Sequence, residues 1–159
     1  MGWGKVEDRG LFYEDFQIGD KFLSPSRTVT ETDVVNFAGL SGDYNLLHMD
    51  KEYAKNTVFQ ERIAHGLLGL SIGSGLFTRT ELNRRMSKNL IALLGLESWE
   101  FLAPIKISDT IHLEIEIVDK KKTSKQDRGV VKFNRKIINQ NGITVQEGLT
   151  PMMIARRTN

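Results

Sequence analysis

Between residues 66 and 77 the chain reads GLLGLSIGSGLF, apolar nearly all the way round a helix, and it turns polar from Arg79. The pattern predicts one long helix from 66 to about 85, roughly five turns at ~3.6 residues per turn. Such a helix is buried at its start and emerges at its end. What buries it must come from the second half of the chain. Residues 110–118 alternate, with Ile111, Leu113, Ile115 and Ile117 facing one way and His112, Glu114 and Glu116 the other. Residues 131–137 alternate again, and Asn141-Gly142 is a two-residue hairpin turn into a strand over 143–154. Residues 90–99 are a further strand candidate, and 120–128 read as a solvated hairpin end. The plan is one apolar helix followed by a meander of strands that each carry a single apolar face.

That plan predicts an α+β protein in which an antiparallel sheet wraps around one long central helix, the hot-dog fold. Upstream of the helix, Arg27-Thr28-Val29 is a short strand candidate. Thr30 is an N-cap with Asp33 three residues on, for a helix through Ala38 that buries Val34, Val35 and Ala38. Gly39, Ser41 and Gly42 end it. Residues 50–54 form a second, very short helix capped by Asp50. At 159 residues the chain is expected to be a single domain, 1–159, large enough to bury a core unaided. A sheet wrapped on one helix leaves an edge and a flank uncovered, and a homodimer or higher homo-oligomer is expected to cover them.

Several classes of function are excluded or disfavoured. The chain has no cysteine, which removes disulfides, thiolate metal sites and cysteine nucleophiles, and fits a reducing cytoplasmic location. The start, MGWGKVEDRG, has charges where a signal peptide needs an apolar core, and Val6 breaks the myristoylation pattern that Met1-Gly2 begins. The apolar window 67–77 is interrupted by Gly69, Gly73 and Gly75 and is too short to span a bilayer, so no membrane partner is expected. With 22 basic and 20 acidic residues, charge gives no argument for nucleic acid.

The residues that could carry chemistry fall in residues 37–68, FAGLSGDYNLLHMDKEYAKNTVFQERIAHGLL. Asp43 and His48 are five apart and would point about 140° apart on a helix. Gly42 and Asn45 predict a curled loop there instead, which can aim both side chains into one pocket. A neutral imidazole can take a proton from water, and a carboxyl group can orient that water or deliver a proton to carbon. Capping a turn and anchoring a ring on a backbone carbonyl are equally natural tasks for the pair, and spacing alone leaves both roles open.

His65-Gly66 opens the long helix. The first amides of a helix lack intrahelical partners and carry the positive end of its dipole, and glycine lets a polarised carbonyl come close. The same glycine also serves a tight entry into the helix. Ser71 and Ser74 lie further along, among glycines that suit close packing, and no nucleophile elbow precedes them. A metal site from Asp43, His48 and His65 lacks paired short-range spacing and is not expected. His112 reads as a surface residue and Lys120-Lys121-Lys122 as a solvated turn.

The ordered run Phe37-Ala38, Ser41-Gly42-Asp43, Asn45, His48, Asp50, Tyr53-Ala54, Thr57, Phe59 and Ile63-Ala64-His65-Gly66-x-Leu68 closely resembles the MaoC-like hydratases, the (R)-specific enoyl-CoA hydratase or hydratase 2 family. The resemblance covers about 30 residues as a motif and, through the helix-then-meander plan, most of the chain. It implies a dimeric hot-dog protein that adds water to trans-2-enoyl thioesters, or removes it from the 3-hydroxyacyl products. By position in the motif it implies Asp43 and His48 as the catalytic pair. Gly66 would be the donor to the thioester carbonyl, with Asn45, His65 and Ser74 as further pocket or substrate residues. No cofactor or metal is implied, with coenzyme A present only as part of the substrate, and an acyl carrier protein is the other possible carrier. The family usually has proline after the asparagine, whereas Leu46 stands here, so the loop loses some backbone restriction while neither catalytic side chain changes. A hot-dog thioesterase and a non-catalytic acyl-thioester binding module are the alternative readings.

Overall fold

The computed structural model describes residues 10–157, so most of the charged N-terminal stretch read above lies outside the described residues. Three long strands, β5 (Thr110–Lys122), β6 (Arg128–Ile138) and β7 (Thr144–Ala155), form the antiparallel meander. Short strands complete the sheet. β1 (Lys21–Leu23) and β2 (Arg27–Thr28) pair with β5, while β3 (Leu90–Leu93) and β4 (Glu97–Phe101) pair with β7. The order along the main path is β1-β5-β6-β7-β3. The alternation in β5 works as predicted, with Ile111, Leu113, Ile115 and Ile117 all buried. The β6–β7 turn is one residue longer than the two-residue turn expected: Asn139 and Ile143 pair through the Asn139 N–H, the loop spans 140–142, and only Gly142 takes a left-handed φ, of 73°, because the Gly142 N–H turns back to the Asn139 carbonyl.

The helices run α1 (Glu31–Ser41), α2 (Leu46–Met49), α3 (Lys51–Lys55), α4 (Gly66–Thr78) and α5 (Glu81–Met86). Thr30 caps α1 in a capping box with Asp33, and Gly42 closes it in the left-handed conformation. Val34 and Ala38 are buried as expected, but Val35 is 45% exposed and falls off the stripe.

The predicted single helix over 66–85 is two helices. α4 ends at Thr78, and Thr80 turns extended and caps α5 by accepting the Asn83 N–H at 3.0 Å. Its hydroxyl also donates to the Phe77 carbonyl at 2.7 Å. The break redirects the chain so that Leu82 and Met86 join the core, which a straight helix leaving the sheet would not allow. The strand candidate over 90–99 likewise divides, because β3 and β4 pair with different parts of β7. Lys120, Lys121 and Lys122 extend β5 instead of forming the hairpin tip, and Lys120 lies over the Tyr13 ring, 4.7 Å from its centre.

α4 lies on the concave face of the sheet, its close approach permitted by absent side chains. A Cβ on Gly73 would sit 2.8 Å from Ile137 Cδ1, and one on Gly69 would sit 2.2 Å from Gln146 Nε2. This is the hot-dog arrangement, an α+β sheet wrapped on a central helix. A cation lies inside it. Arg135 is buried with its guanidinium carbon 3.8 Å from the Phe77 ring centre, and burial pushes its pKa down to about 10. Among the described residues no helix is long and apolar enough to cross a membrane.

The contact between helix and sheet generates a stability prediction. Gly73→Leu would force Ile137 and its neighbours aside and cost roughly 1–3 kcal/mol. Urea unfolding should show a lower midpoint at unchanged slope; an unchanged midpoint would mean that α4 does not need this close approach.

Candidate functional site

The site is assembled where the turn after α1 meets the start of α4. Gly42 turns the chain out of α1, and the Ser41 hydroxyl, itself donating to the Phe37 carbonyl at 2.7 Å, accepts the Asp43 N–H at 3.2 Å. Asn45 then accepts the Leu47 N–H on its Oδ1 at 2.9 Å and caps α2. The predicted curled loop is therefore partly a one-turn helix, because Asn45 serves as an N-cap. Leu46 is the first residue of α2, a position where proline fits well because the amide has no intrahelical partner. Leucine there keeps the same local structure.

α2 carries His48 against the segment before α4. Its Nδ1 lies 2.8 Å from the Ile63 carbonyl, which can only accept, so Nδ1 bears the proton and Nε2 keeps a free lone pair. His65 makes the mirror-image choice: its Nε2–H donates to the backbone carbonyl of Asp43 at 2.9 Å. The two rings stack with centres 3.8 Å apart and planes inclined by 34°, and the Phe37 ring also packs on His65 with centres 5.0 Å apart. Asp43, His48 and His65 offer donor atoms that all lie within 4.8 Å of one another. The structure thus brings Asp43 and His48 together across their five-residue spacing.

Burial lowers the pKa of His48 below its ordinary value, and the nearby His65 ring adds to this; the Ile63 carbonyl and the Asp43 charge oppose it without reversing it. The ring is therefore neutral near pH 7 and basic at Nε2.

His48 opens onto a cleft of about 600 Å³ whose walls include Phe59, Gly66, Leu67, Phe101 and Gln146. Hollows of similar size elsewhere, of about 560 and 580 Å³, contain no histidine. Gly66 begins α4 and no side chain caps that terminus. Its missing Cβ admits the Phe101 ring, which would lie 2.8 Å from it. His65 is 2% exposed and stands behind the cleft wall, where it holds Asp43 and backs His48. Asp43 and Asn45 are exposed and lie outside the cleft lining. Ser74 is exposed on α4, eight residues beyond Gly66, about 12 Å along the axis at ~1.5 Å per residue, and a single chain does not bring it to the cleft.

Phe101 and Gln146 were not singled out from the sequence, and Phe59 entered only as a member of the ordered motif, with no role given to it. Gln146 did leave a signal: counting back in twos from Ile154 through Met152, Thr150 and Gly148 puts this polar residue on the inward face of β7.

The histidines resemble metal ligands in one respect, each giving one nitrogen to a carbonyl and keeping the other free. Their spacing argues against it. Two imidazoles on one tetrahedral ion at ~2.1 Å hold their ring centres about 5 Å apart, well beyond the 3.8 Å found here. Stacked rings suit a hydrogen-bonded base and its support.

The family profile described as MaoC like domain matches residues 15–139. The chain is 41% identical over 117 residues to Protein MaoC of Klebsiella aerogenes, covering 74% of this chain and 33% of that protein. It therefore spans about a third of the length of that relative. It is 36% identical to the (R)-specific enoyl-CoA hydratase of Rhodospirillum rubrum, covering 67% of this chain and 69% of that one. The crystal structure of a MaoC-like dehydratase from the same organism superposes with a TM-score of 0.83 at 27% identity, covering 94% of this chain and 100% of that one. A double hot-dog protein from Mycobacterium tuberculosis, at 18% identity and a TM-score of 0.80, covers 97% of this chain and 47% of that one and shares the fold.

The state of His48 is open to direct measurement. Its NMR titration midpoint should fall below about 6.5, the ordinary histidine value. Because the fold prefers the neutral ring, this group's contribution to stability should be full above that value and be lost as pH falls through the lower midpoint. A midpoint above 6.5 would overturn the neutral-base assignment.

Proposed function

The chain belongs to the MaoC-like dehydratase family, and from that premise we propose that it is a hydro-lyase acting on 2-enoyl thioesters. It adds water to a trans-2-enoyl-CoA to give an (R)-3-hydroxyacyl-CoA, or runs the reverse dehydration. The observation that carries the reading is His48, whose Nδ1–H is held by the Ile63 carbonyl, so that a basic Nε2 is left in the cleft that Gly66 lines. The stereochemistry and the carrier follow the named activity of the Rhodospirillum rubrum relative.

The thioester carbonyl accepts the Gly66 N–H, which draws electron density from the double bond as an enolate develops; one such donor contributes about 3 kcal/mol. Water lies between Asp43 and His48. As its oxygen bonds to the β-carbon, the π pair moves toward the carbonyl and His48 takes the water's proton, a step that contributes about 10²–10⁴-fold. The Asp43–His48 pair then delivers one proton to the α-carbon and returns to its starting state. The net change is addition of H and OH across the double bond, with no cofactor or metal and with coenzyme A entering only as part of the substrate. Asn45 holds the loop that carries Asp43. A second copy of the chain, packed on the exposed flank of α4, would make the working unit a homodimer and is the setting in which Ser74 could order the pocket.

The test mixes the full chain with crotonyl-CoA and follows loss of the conjugated enoyl-thioester absorbance. Rapid loss is expected, with an (R)-3-hydroxy product and no free thiol. Asp43→Asn and His48→Ala should each lower kcat by about 10²-fold or more. Thiol release would establish a thioesterase instead, and no turnover of crotonyl or longer enoyl thioesters would leave a binding module.

A further inference from the structure

Gln146 lines the cleft and has no task in the proposed reaction. It is 2% exposed and sits on the inner face of β7, beneath the first turn of α4. Its Nε2 donates to the Gly66 carbonyl at 3.0 Å, and its Oε1 accepts the Trp99 indole N–H at 3.2 Å. The opposite amide orientation would set oxygen against oxygen and N–H against NH₂, so the two partners dictate this one. Two glycines make room for the relay. A Cβ on Gly69 would lie 2.2 Å from Gln146 Nε2, and one on Gly148 would lie 2.5 Å from the Trp99 ring. The chain therefore gives up two side chains along the path from Trp99 through Gln146 to Gly66.

We propose that Gln146, oriented by Trp99, is a positioning residue that holds the Gly66 amide in line with the thioester carbonyl. The inference rests on the proposed hydratase reading and adds to it the group that aims its carbonyl donor. Gly66 needs such a group. Glycine has the widest backbone freedom, the first amides of a helix have no intrahelical acceptor, and no side chain caps this terminus. A donor stabilises developing charge only if it is aimed before the charge appears. Restraint reaches Gly66 from both sides: the His65 carbonyl, in the same peptide plane as the Gly66 N–H, accepts the Gly69 N–H at 3.2 Å while the His65 ring is tied to Asp43, and the Gly66 carbonyl is tied to Gln146. With the tether cut, the N–H swings through a wider cone and the enolate loses part of its stabilisation, while the apolar walls still bind the acyl group.

The variants are Gln146→Met, which keeps length without the amide, and Trp99→Phe, which leaves the amide but removes its orienting donor. Two readouts apply. In turnover, Gln146→Met should lower kcat by about tenfold or more with KM nearly unchanged, and Trp99→Phe should act less strongly in the same direction. In a His48→Ala background, bound 2,4-hexadienoyl-CoA reports carbonyl polarisation through a red shift of its absorbance. That shift should shrink in Gln146→Met and, to a smaller degree, in Trp99→Phe. A residue that only supports the fold would move melting temperature without moving the shift. If Gln146→Met does not fold, Trp99→Phe decides. A shift present in the parent and undiminished in the folded variants overturns the tether alone. No shift in the parent with probe bound overturns the assignment of Gly66, and the tether with it.

Discussion

The closeness with which α4 lies on the sheet governs the rest of this molecule. A helix carrying ordinary side chains on its inner face would ride higher, and the apolar face of β5 and β6 would be left loosely filled. Glycine at 69 and 73 lets Ile137 and Gln146 press toward the helix backbone, and Leu68, Ile72 and Leu76 fill the flanks of that contact. Interiors pack at near-crystalline density, so the separation is set by the side chains present and not by a compressible gap. One consequence is positional. With its body seated, the helix delivers its N-terminus, the only part that can present free amides, to the edge of the core where the cleft opens.

The other half of the site reaches that terminus through His65. Its ring is the meeting point of three segments: Phe37 from α1 packs on it, His48 from α2 stacks on it, and its Nε2–H holds the Asp43 carbonyl. Ile63, two residues earlier, supplies the carbonyl that sets the His48 tautomer. The long ordered motif is thus a physical unit. Asp50 caps α3, Thr57 ties to the Ala54 carbonyl, and Phe59 becomes a wall of the cleft. Removing any one of these would loosen the path that brings residues 43 and 48 back to residue 65.

Much of this was legible beforehand, for identifiable reasons. Period-two alternation in β5 and β6 reports a sheet with one buried face because burial itself has that period. The place of the β6–β7 turn was legible from Gly142, which accepts φ > 0 as few residues do, but its length was not, because Asn139 pairs with Ile143 and leaves a three-residue loop. The loop with Asp43 and His48 was legible by resemblance to an ordered motif, since five-residue spacing says nothing about a chain that curls. What escaped notice depended on competition between local signals and distant partners. Thr80 looked like one more residue of a long helix, but burial of Leu82 and Met86 favours its other talent as a cap. Asn45 looked like a helix breaker and is a helix starter. Gln146 escaped because its meaning lies in Trp99 and Gly66, neither of which is near it in sequence.

The electrostatics of the cleft follow from the same geometry. In the proposed hydration the base has to be neutral before it takes a proton from water, with a carboxylate beside it to orient that water. These demands conflict when the two groups are close, since a carboxylate favours the protonated imidazole. Differential burial resolves the conflict. His48 is partly withdrawn from water, backed by a second imidazole and walled by Phe59, Leu67 and Phe101, and this outweighs the pull of Asp43. Asp43 stays exposed on its loop, its carboxylate accepting the Asn45 N–H at 3.3 Å. Asp43 stands at the rim, held through its backbone carbonyl by the His65 ring and through its carboxylate by the Asn45 N–H, and so it lies beside the neutral His48 ring without entering the apolar wall.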